Sequence, residues 1–258
     1  MFAAIEDGVD VITIAFGCQG HVAFHYDVVT SVSVLAIYKG ITVVCAAGNF
    51  GPSRSTHKNE APWVLTFGAA IKPNGIVTPT MASFSSRRPN SISPGILKTY
   101  IIGSGVHIFG ASNMETKATF VTNSGASMAC PHLSGITTLL KSAHPDLSPT
   151  AIKSAIMMTA DPVKDERCVN ADVFAVGAGH VNALKAVVDL GYVFDIQPDD
   201  YIPYLLGLGY TTYQVEKMVR KEPSSSKRIA EAELNLPSIA IAFRPGEKKK
   251  YMRNVIVP

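Results

Sequence analysis

Residues Asn123–His132 read Asn-Ser-Gly-Ala-Ser-Met-Ala-Cys-Pro-His, and they place one hydroxyl, Ser127, where a nucleophile is expected. Gly125, Ala126 and Ala129 crowd around it, and an apolar helical run follows from Leu133 to Leu140. That is the layout of a serine held at a helix N-terminus. Free backbone N–H groups and the helix dipole there stabilise negative charge on an attacked carbonyl. A serine attacks only when a base takes its proton, so a histidine is needed as well. The chain has seven histidines. His21 and His25 fall in a loop after Gly17, His57 in a polar loop, and His107 in a segment of its own. His132 lies one residue past Pro131, while His144 and His180 sit in turn-like motifs. Each reads as a surface or packed structural histidine, the ordinary reading of a lone histidine.

The elements that must position Ser127 alternate in type. Val9–Ala15, Ile41–Cys45 and Val64–Ala70 are short apolar runs expected to be strands, the first following a helix-like Phe2–Asp7. Asp27–Tyr38 carries apolar residues at helical spacing and stops at Gly40. Ser148-Pro149 reads as an N-cap with proline at the first helical position, opening a helix from Thr150 to about Thr159. Alternation of this kind over the first 160 residues predicts a mostly parallel α/β sheet. Beyond Asp161, glycines and tyrosines become frequent. Lys221–Arg228, with Pro223 and three serines, reads as a linker, and Leu234–Phe243 alternates as a strand would.

Bulk properties remove several function classes. At 258 residues, 47% hydrophobic and 17% charged, the chain can bury a substantial core. The net charge is only +3, and the one basic run, Lys248–Lys250, lacks interleaved aromatics, so no nucleic-acid partner is expected. No run of eighteen apolar residues predicts a membrane span, and Met1–Asp7 does not resemble a signal peptide. Cys18, Cys45, Cys130 and Cys168 show no metal-ligand spacing, and Cys45 and Cys130 read as buried thiols. Neither a metal nor a cofactor is expected.

Several ordered motifs resemble the subtilisin-like serine proteases, most closely the plant cucumisin-type subtilases. Asp7–Ile12 is similar to that family's helix-to-strand entry, and Ala46-Ala47-Gly48-Asn49-Phe50-Gly51-Pro52 to its Ala-Gly-Asn-x-Gly-Pro signature. Ser83–Arg87 resembles the stretch leading to the nucleophile, and Gly125–His132 the nucleophile motif itself, with Ala126 in place of the usual Thr. Ser142–Asp146, Ala151–Ile156, Gly177–Asn182 and Asp199–Tyr201 follow in family order. The resemblance implies an endopeptidase acting on polypeptides, with Ser127 as nucleophile and Asn49 as side-chain donor to the oxyanion. A neutral amide suits that task because it costs no buried charge. It also implies that Ala15, Phe16 and Gly17 form the edge that pairs with an extended substrate. The implied fold is part of a subtilisin-like domain over 1–220, with the Ser127 helix running through its centre. A linker over 221–233 and the start of a small fibronectin III-like β domain over 234–258 would follow. Secretion to the cell wall or apoplast is implied too, as is further chain before Met1 and after Pro258.

The chain also departs from the family. The Asp-Thr-Gly and His-Gly-Thr-His motifs that carry the other two triad members do not occur in it. Ser-Arg-Gly-Pro becomes Ser86-Arg87-Arg88-Pro89, where Arg88 is expected to be strained at a position suited to glycine. Lys-Pro-Asp-Ile-x-Ala-Pro-Gly becomes Lys98–Gly105, expected to be a loop beside the site. About a dozen residues, roughly 71–81, stand where a protease-associated domain is usual. Two other functions stay open. One is a non-catalytic, peptide-binding pseudoprotease. The other is an α/β-hydrolase using Ser127 with Asp172 and His180, which leaves the Asn49 segment unexplained.

Overall fold

The computed structural model describes residues 1–17, 22–71, 79–98, 100–112, 119–163, 172–223, 226–241 and 243–257. Cys18, His21, Thr99, Cys168, Ser224, Ser225, Ala242 and most of 71–81 lie outside them. The chain begins with helix α1 (Phe2–Glu6), strand β1 (Val11–Ile14), helix α2 (Val28–Tyr38), and strands β2 (Thr42–Ala46) and β3 (Leu65–Ile71). Strands β4 (Thr80–Met81), β5 (Ile101–Ser104), β6 (Ile108–Ala111) and β7 (Phe120–Asn123) come next. Helices α3 (Ala126–Ala143), α4 (Pro149–Met158), α5 (Val173–Val176), α6 (Ala183–Val188), α7 (Tyr201–Gly207) and α8 (Thr212–Val219) complete it.

Strands β1, β2, β3 and β5 lie side by side in parallel, with Ile12 opposite Val43, Val44 opposite Leu65 and Phe67 opposite Ile101. Short β4 pairs antiparallel with the end of β3. Every residue of β2 is buried, as expected of a parallel strand covered on both faces. Helix α3 packs against all four parallel strands. Its buried residues, Ala126, Ala129, Cys130, Leu133, Ser134, Thr137 and Leu140, recur at three- and four-residue spacing, one stripe of the helix. Helix α2 starts where the Asp27 side chain accepts from Val29 N–H at 3.0 Å, and Gly40 follows its end with φ +75°. Helix α4 starts at the expected cap, with Ser148 Oγ accepting from Ala151 N–H at 3.0 Å.

Two expectations about local structure are corrected. Ile101–Ser104, expected to be a loop, is a ladder strand, β5. With the family's prolines replaced, every N–H there is able to bond, and Ile101 and Ile102 are β-branched residues buried between neighbours. Conversely, the described part of Leu234–Phe243 contains no strand. Leu234 and Leu236 face the main core, and side chains take the place of a ladder: Arg253 donates to Leu236 O at 3.1 Å, and Asn235 to Asp195 O at 2.9 Å. The beginning of a fibronectin III-like domain therefore does not appear as a strand here.

Candidate active site

The end of β5 leads to Gly105, whose carbonyl accepts from Gly125 N–H at 2.8 Å and so fixes the start of α3. Helix α3 has no cap from its own chain neighbours. Asn49 supplies one from the far side of the site: its Oδ1 accepts from Ala126 N–H at 2.7 Å. A backbone N–H can only donate, so this bond sets the amide's orientation and identifies the remaining amide atom as the donor Nδ2. The loop carrying Asn49 is in turn held by the Ser83–Ser86 stretch. Ser86 N–H donates to Gly48 O at 3.0 Å, Phe50 N–H to Ser86 Oγ at 3.1 Å, and Gly51 N–H to Phe84 O at 2.7 Å.

Gly125 shows what this construction achieves. A methyl group placed on it would lie 2.8 Å from Ser127 Oγ, 3.2 Å from Asn49 Nδ2 and 3.6 Å from Ser127 N. Hydroxyl, amide donor and backbone donor thus converge on one small space that glycine leaves open. Ser127 N–H lies in the first turn of α3 and has no acceptor among the described residues. An oxygen in that space would meet two neutral donors beside a nucleophilic hydroxyl.

The structure therefore brings Ser127 and Asn49 together. Ala15 and Phe16 lie exposed just past β1, the end strand of the described sheet, and Gly17 is half-buried. They are tied to the Asn49 loop by Asn59, which sequence reasoning missed. Buried Asn59 donates through Nδ2 to Phe16 O at 3.0 Å and to Ala46 O at 2.8 Å, joining the ends of β1 and β2. Its φ of +55° is one that asparagine tolerates. An isolated asparagine in a polar loop gives no signal of that role.

No described histidine hydrogen bonds to Ser127. His132 Nδ1 meets Met128 O at 2.9 Å on the helix surface, and His144 Nε2 meets Val187 O at 2.8 Å. His180 bridges Ile102 and Asp161 at the end of the sheet, and the His25 ring lies tilted against Tyr26. Cys130, one turn beyond Ser127, is no rival nucleophile. Burial pushes its thiol up to about 12, and burial raises Cys45 further. Both cysteines are buried and free. No group of three or more potential metal ligands occurs among the described residues.

Residues 1–179 match the subtilase family, peptidase S8. The chain belongs to the subtilase family. It is 42% identical to subtilisin-like protease SBT1.2 of Arabidopsis thaliana over 66% of this chain and 24% of that protein. Sphericase superposes with a TM-score of 0.55 at 25% identity, covering 70% of this chain and 59% of the other. The prenylagaramide maturation protease PagA superposes with a TM-score of 0.57 at 23% identity, covering 74% and 65%, and that likeness concerns the fold. This subtilase spans about a quarter of the length of the curated relatives it matches. The mixed α/β fold with a mostly parallel sheet is the one the resemblance implied. One departure is milder than expected: Arg88 is buried and is not among the residues with positive φ, so its backbone carries no left-handed strain. Among the described residues no helix is long and apolar enough to cross a membrane.

Proposed function

We propose that this chain carries the nucleophile and oxyanion half of a serine endopeptidase site acting on polypeptides. The convergence of Ser127 Oγ, Asn49 Nδ2 and Ser127 N–H on the space beside Gly125 carries the reading. In the reaction Ser127 Oγ attacks a peptide carbonyl while its proton passes to a base. The oxygen, now negative, is held by Asn49 and Ser127 N–H. The C–N bond then breaks with proton transfer to the amine, and water releases the acyl group. The base is a histidine other than those whose contacts are described above. Its absence from a subtilisin costs about 2 × 10⁶ in turnover, so its source decides whether this chain works alone. Ala15–Gly17 as the substrate-pairing edge, the division at 221 and 234, and an extracellular location belong to the same proposal.

A second reading, a non-catalytic peptide binder, is favoured by the lack of a described histidine at Ser127. A fluorophosphonate probe separates the two, because it captures an activated serine and is followed by intact mass. We expect slow labelling that exogenous imidazole accelerates and that Ser127→Ala abolishes. Fast labelling without imidazole places a working base within the chain. No labelling at any imidazole concentration, with peptide binding retained, sinks the peptidase reading in favour of the binder.

A further inference from the structure

The Ser83–Arg87 stretch stands out in the sequence but has no chemistry of its own so far. Within it, Ser86 is fully buried and holds the chain on both sides of Asn49. Its N–H donates to Gly48 O at 3.0 Å, and its Oγ accepts from Phe50 N–H at 3.1 Å. The Gly48 carbonyl belongs to the peptide plane before Asn49 Cα, and the Phe50 N–H to the plane after it. Peptide planes are rigid, and only two soft dihedrals per residue set how they meet at Cα. One serine therefore fixes both planes, and with them the direction in which Asn49 Cβ leaves the chain.

Ser86 is itself anchored to the sheet. The preceding Ser85, also fully buried, accepts through Oγ from Ala69 N–H of β3 at 2.9 Å, and its own N–H donates to Ala82 O at 3.0 Å. The Asn49 loop lies close against this stretch. A Cβ on Gly48 would lie 2.9 Å from Ser86 Oγ, and one on Gly51 would lie 2.7 Å from Ser83 O and closer still to Ser85 O. Gly48 also has φ +101°, a conformation that glycine supplies without strain. At the far end of the Asn49 side chain, Oδ1 is fixed by Ala126 N–H at 2.7 Å. Backbone and amide tip are thus held by two separate elements, β3 acting through Ser85 and Ser86, and α3 acting through Ala126.

We infer that Ser86 is a positioning residue for the oxyanion donor: by holding both peptide planes at Asn49, it keeps Nδ2 at the space beside Gly125. The inference rests on the peptidase reading of Ser127 and Asn49. Ser86→Ala retains the N–H bond to Gly48 O and removes the acceptor of Phe50 N–H. The plane after Asn49 is then released while the plane before it stays. A reagent still binds, but its reacting oxygen meets a donor that is out of place, and the loss falls on the chemical step.

The test follows imidazole-assisted fluorophosphonate labelling of the full chain by intact mass. A range of probe concentrations separates probe binding from the maximal rate. Ser86→Ala should lower the maximal rate about tenfold and leave the half-saturating probe concentration within about twofold. Made in an Asn49→Ala background, the same substitution should change the rate by less than about twofold, because nothing is left to position. Ser86→Cys, similar in shape but a weaker acceptor, should fall between the parent and Ser86→Ala. Thr137→Ala removes another fully buried hydroxyl, which donates to Leu133 O at 2.8 Å within α3, and should lower the melting temperature without changing the maximal rate. A parental maximal rate in Ser86→Ala overturns the inference while leaving Ser127 and Asn49 in their roles. So does an equal loss in the Asn49→Ala background or with Thr137→Ala. Should Ser86→Ala not fold, a parental maximal rate in Ser86→Cys overturns it. A parent that takes up no label at any imidazole concentration overturns the peptidase reading, and the inference with it.

Discussion

Asn49→Asp separates the cap that the Asn49 amide supplies to α3 from the oxyanion contact proposed for it. Aspartate keeps an oxygen where Oδ1 accepts from Ala126 N–H at 2.7 Å, so the start of α3 keeps its cap. Its negative charge there favours the helix dipole by about 0.3–1 kcal/mol, so thermal stability should hold or rise slightly. The donor, however, disappears. The atom lying 3.2 Å from the methyl position at Gly125 becomes a second oxygen that repels a developing oxyanion. Loss of the equivalent donor in subtilisin lowers turnover by about 10²–10³, or about 2.7–4 kcal/mol, and a like charge adds to that. Asn49→Ala behaves differently, since it loses cap and donor together and costs about 0.5–2 kcal/mol of stability as well. The assay pairs calorimetric melting with the rate of imidazole-assisted fluorophosphonate labelling. Asn49→Asp should melt no lower than the parent and label at least a hundredfold more slowly. Labelling at the parental rate would refute the placement of Nδ2 at the oxyanion.

Gly125→Ala should give a folded protein with reactivity reduced by a hundredfold or more, since its methyl fills the space between Ser127 Oγ and Asn49 Nδ2; its φ of 164° suits any residue, and circular dichroism with labelling rates checks both halves. Leu133→Ala should cost about 2–5 kcal/mol in urea denaturation, because Leu133 is fully buried where α3 meets Gly103 of β5. Stability should also rise with pH above neutrality. Burial holds Lys153 down to about 7 and Lys98 well below its ordinary value, with the two ammonium groups 5.0 and 4.8 Å from the ring centroid of Tyr100. Between the folded and unfolded pKa values the unfolded chain holds more protons, so each lysine adds up to about 1.4 kcal/mol per pH unit. Denaturation at about pH 7.5 and 8.5 should show that rise, and Lys153→Met should reduce its slope.

Three of the parallel strands were legible because each is a compact apolar run, with β2 and nearly all of β3 buried on both faces and β1 on one. Val9–Ala15, Ile41–Cys45 and Val64–Ala70 enclose or overlap β1, β2 and β3. The cap at Ser148 was legible for a local reason, since it acts on a backbone N–H three residues away. The errors came where distant neighbours decide. Ile101–Ser104 becomes a strand because β3 lies beside it, and Leu234–Phe243 fails to become one where side chains of Asn235 and Arg253 bond the backbone instead. Within the site, the motifs marked Ser127 and Asn49. The orientation of the Asn49 amide could not be read from them, because it depends on a bond to Ala126, 77 residues away. Asn59 was invisible for the same reason: its importance lies in the distant Phe16 and Ala46 carbonyls that it joins.

The central claim is that Ser127 Oγ, Ser127 N–H and Asn49 Nδ2 act on a single reacting group. A crystal structure of the fluorophosphonate adduct measures this directly. The account predicts phosphorus bonded to Ser127 Oγ, with the phosphonyl oxygen about 2.7–3.1 Å from both Ser127 N and Asn49 Nδ2. An adduct on another residue, or a phosphonyl oxygen turned to solvent with Asn49 Nδ2 unengaged, would contradict it.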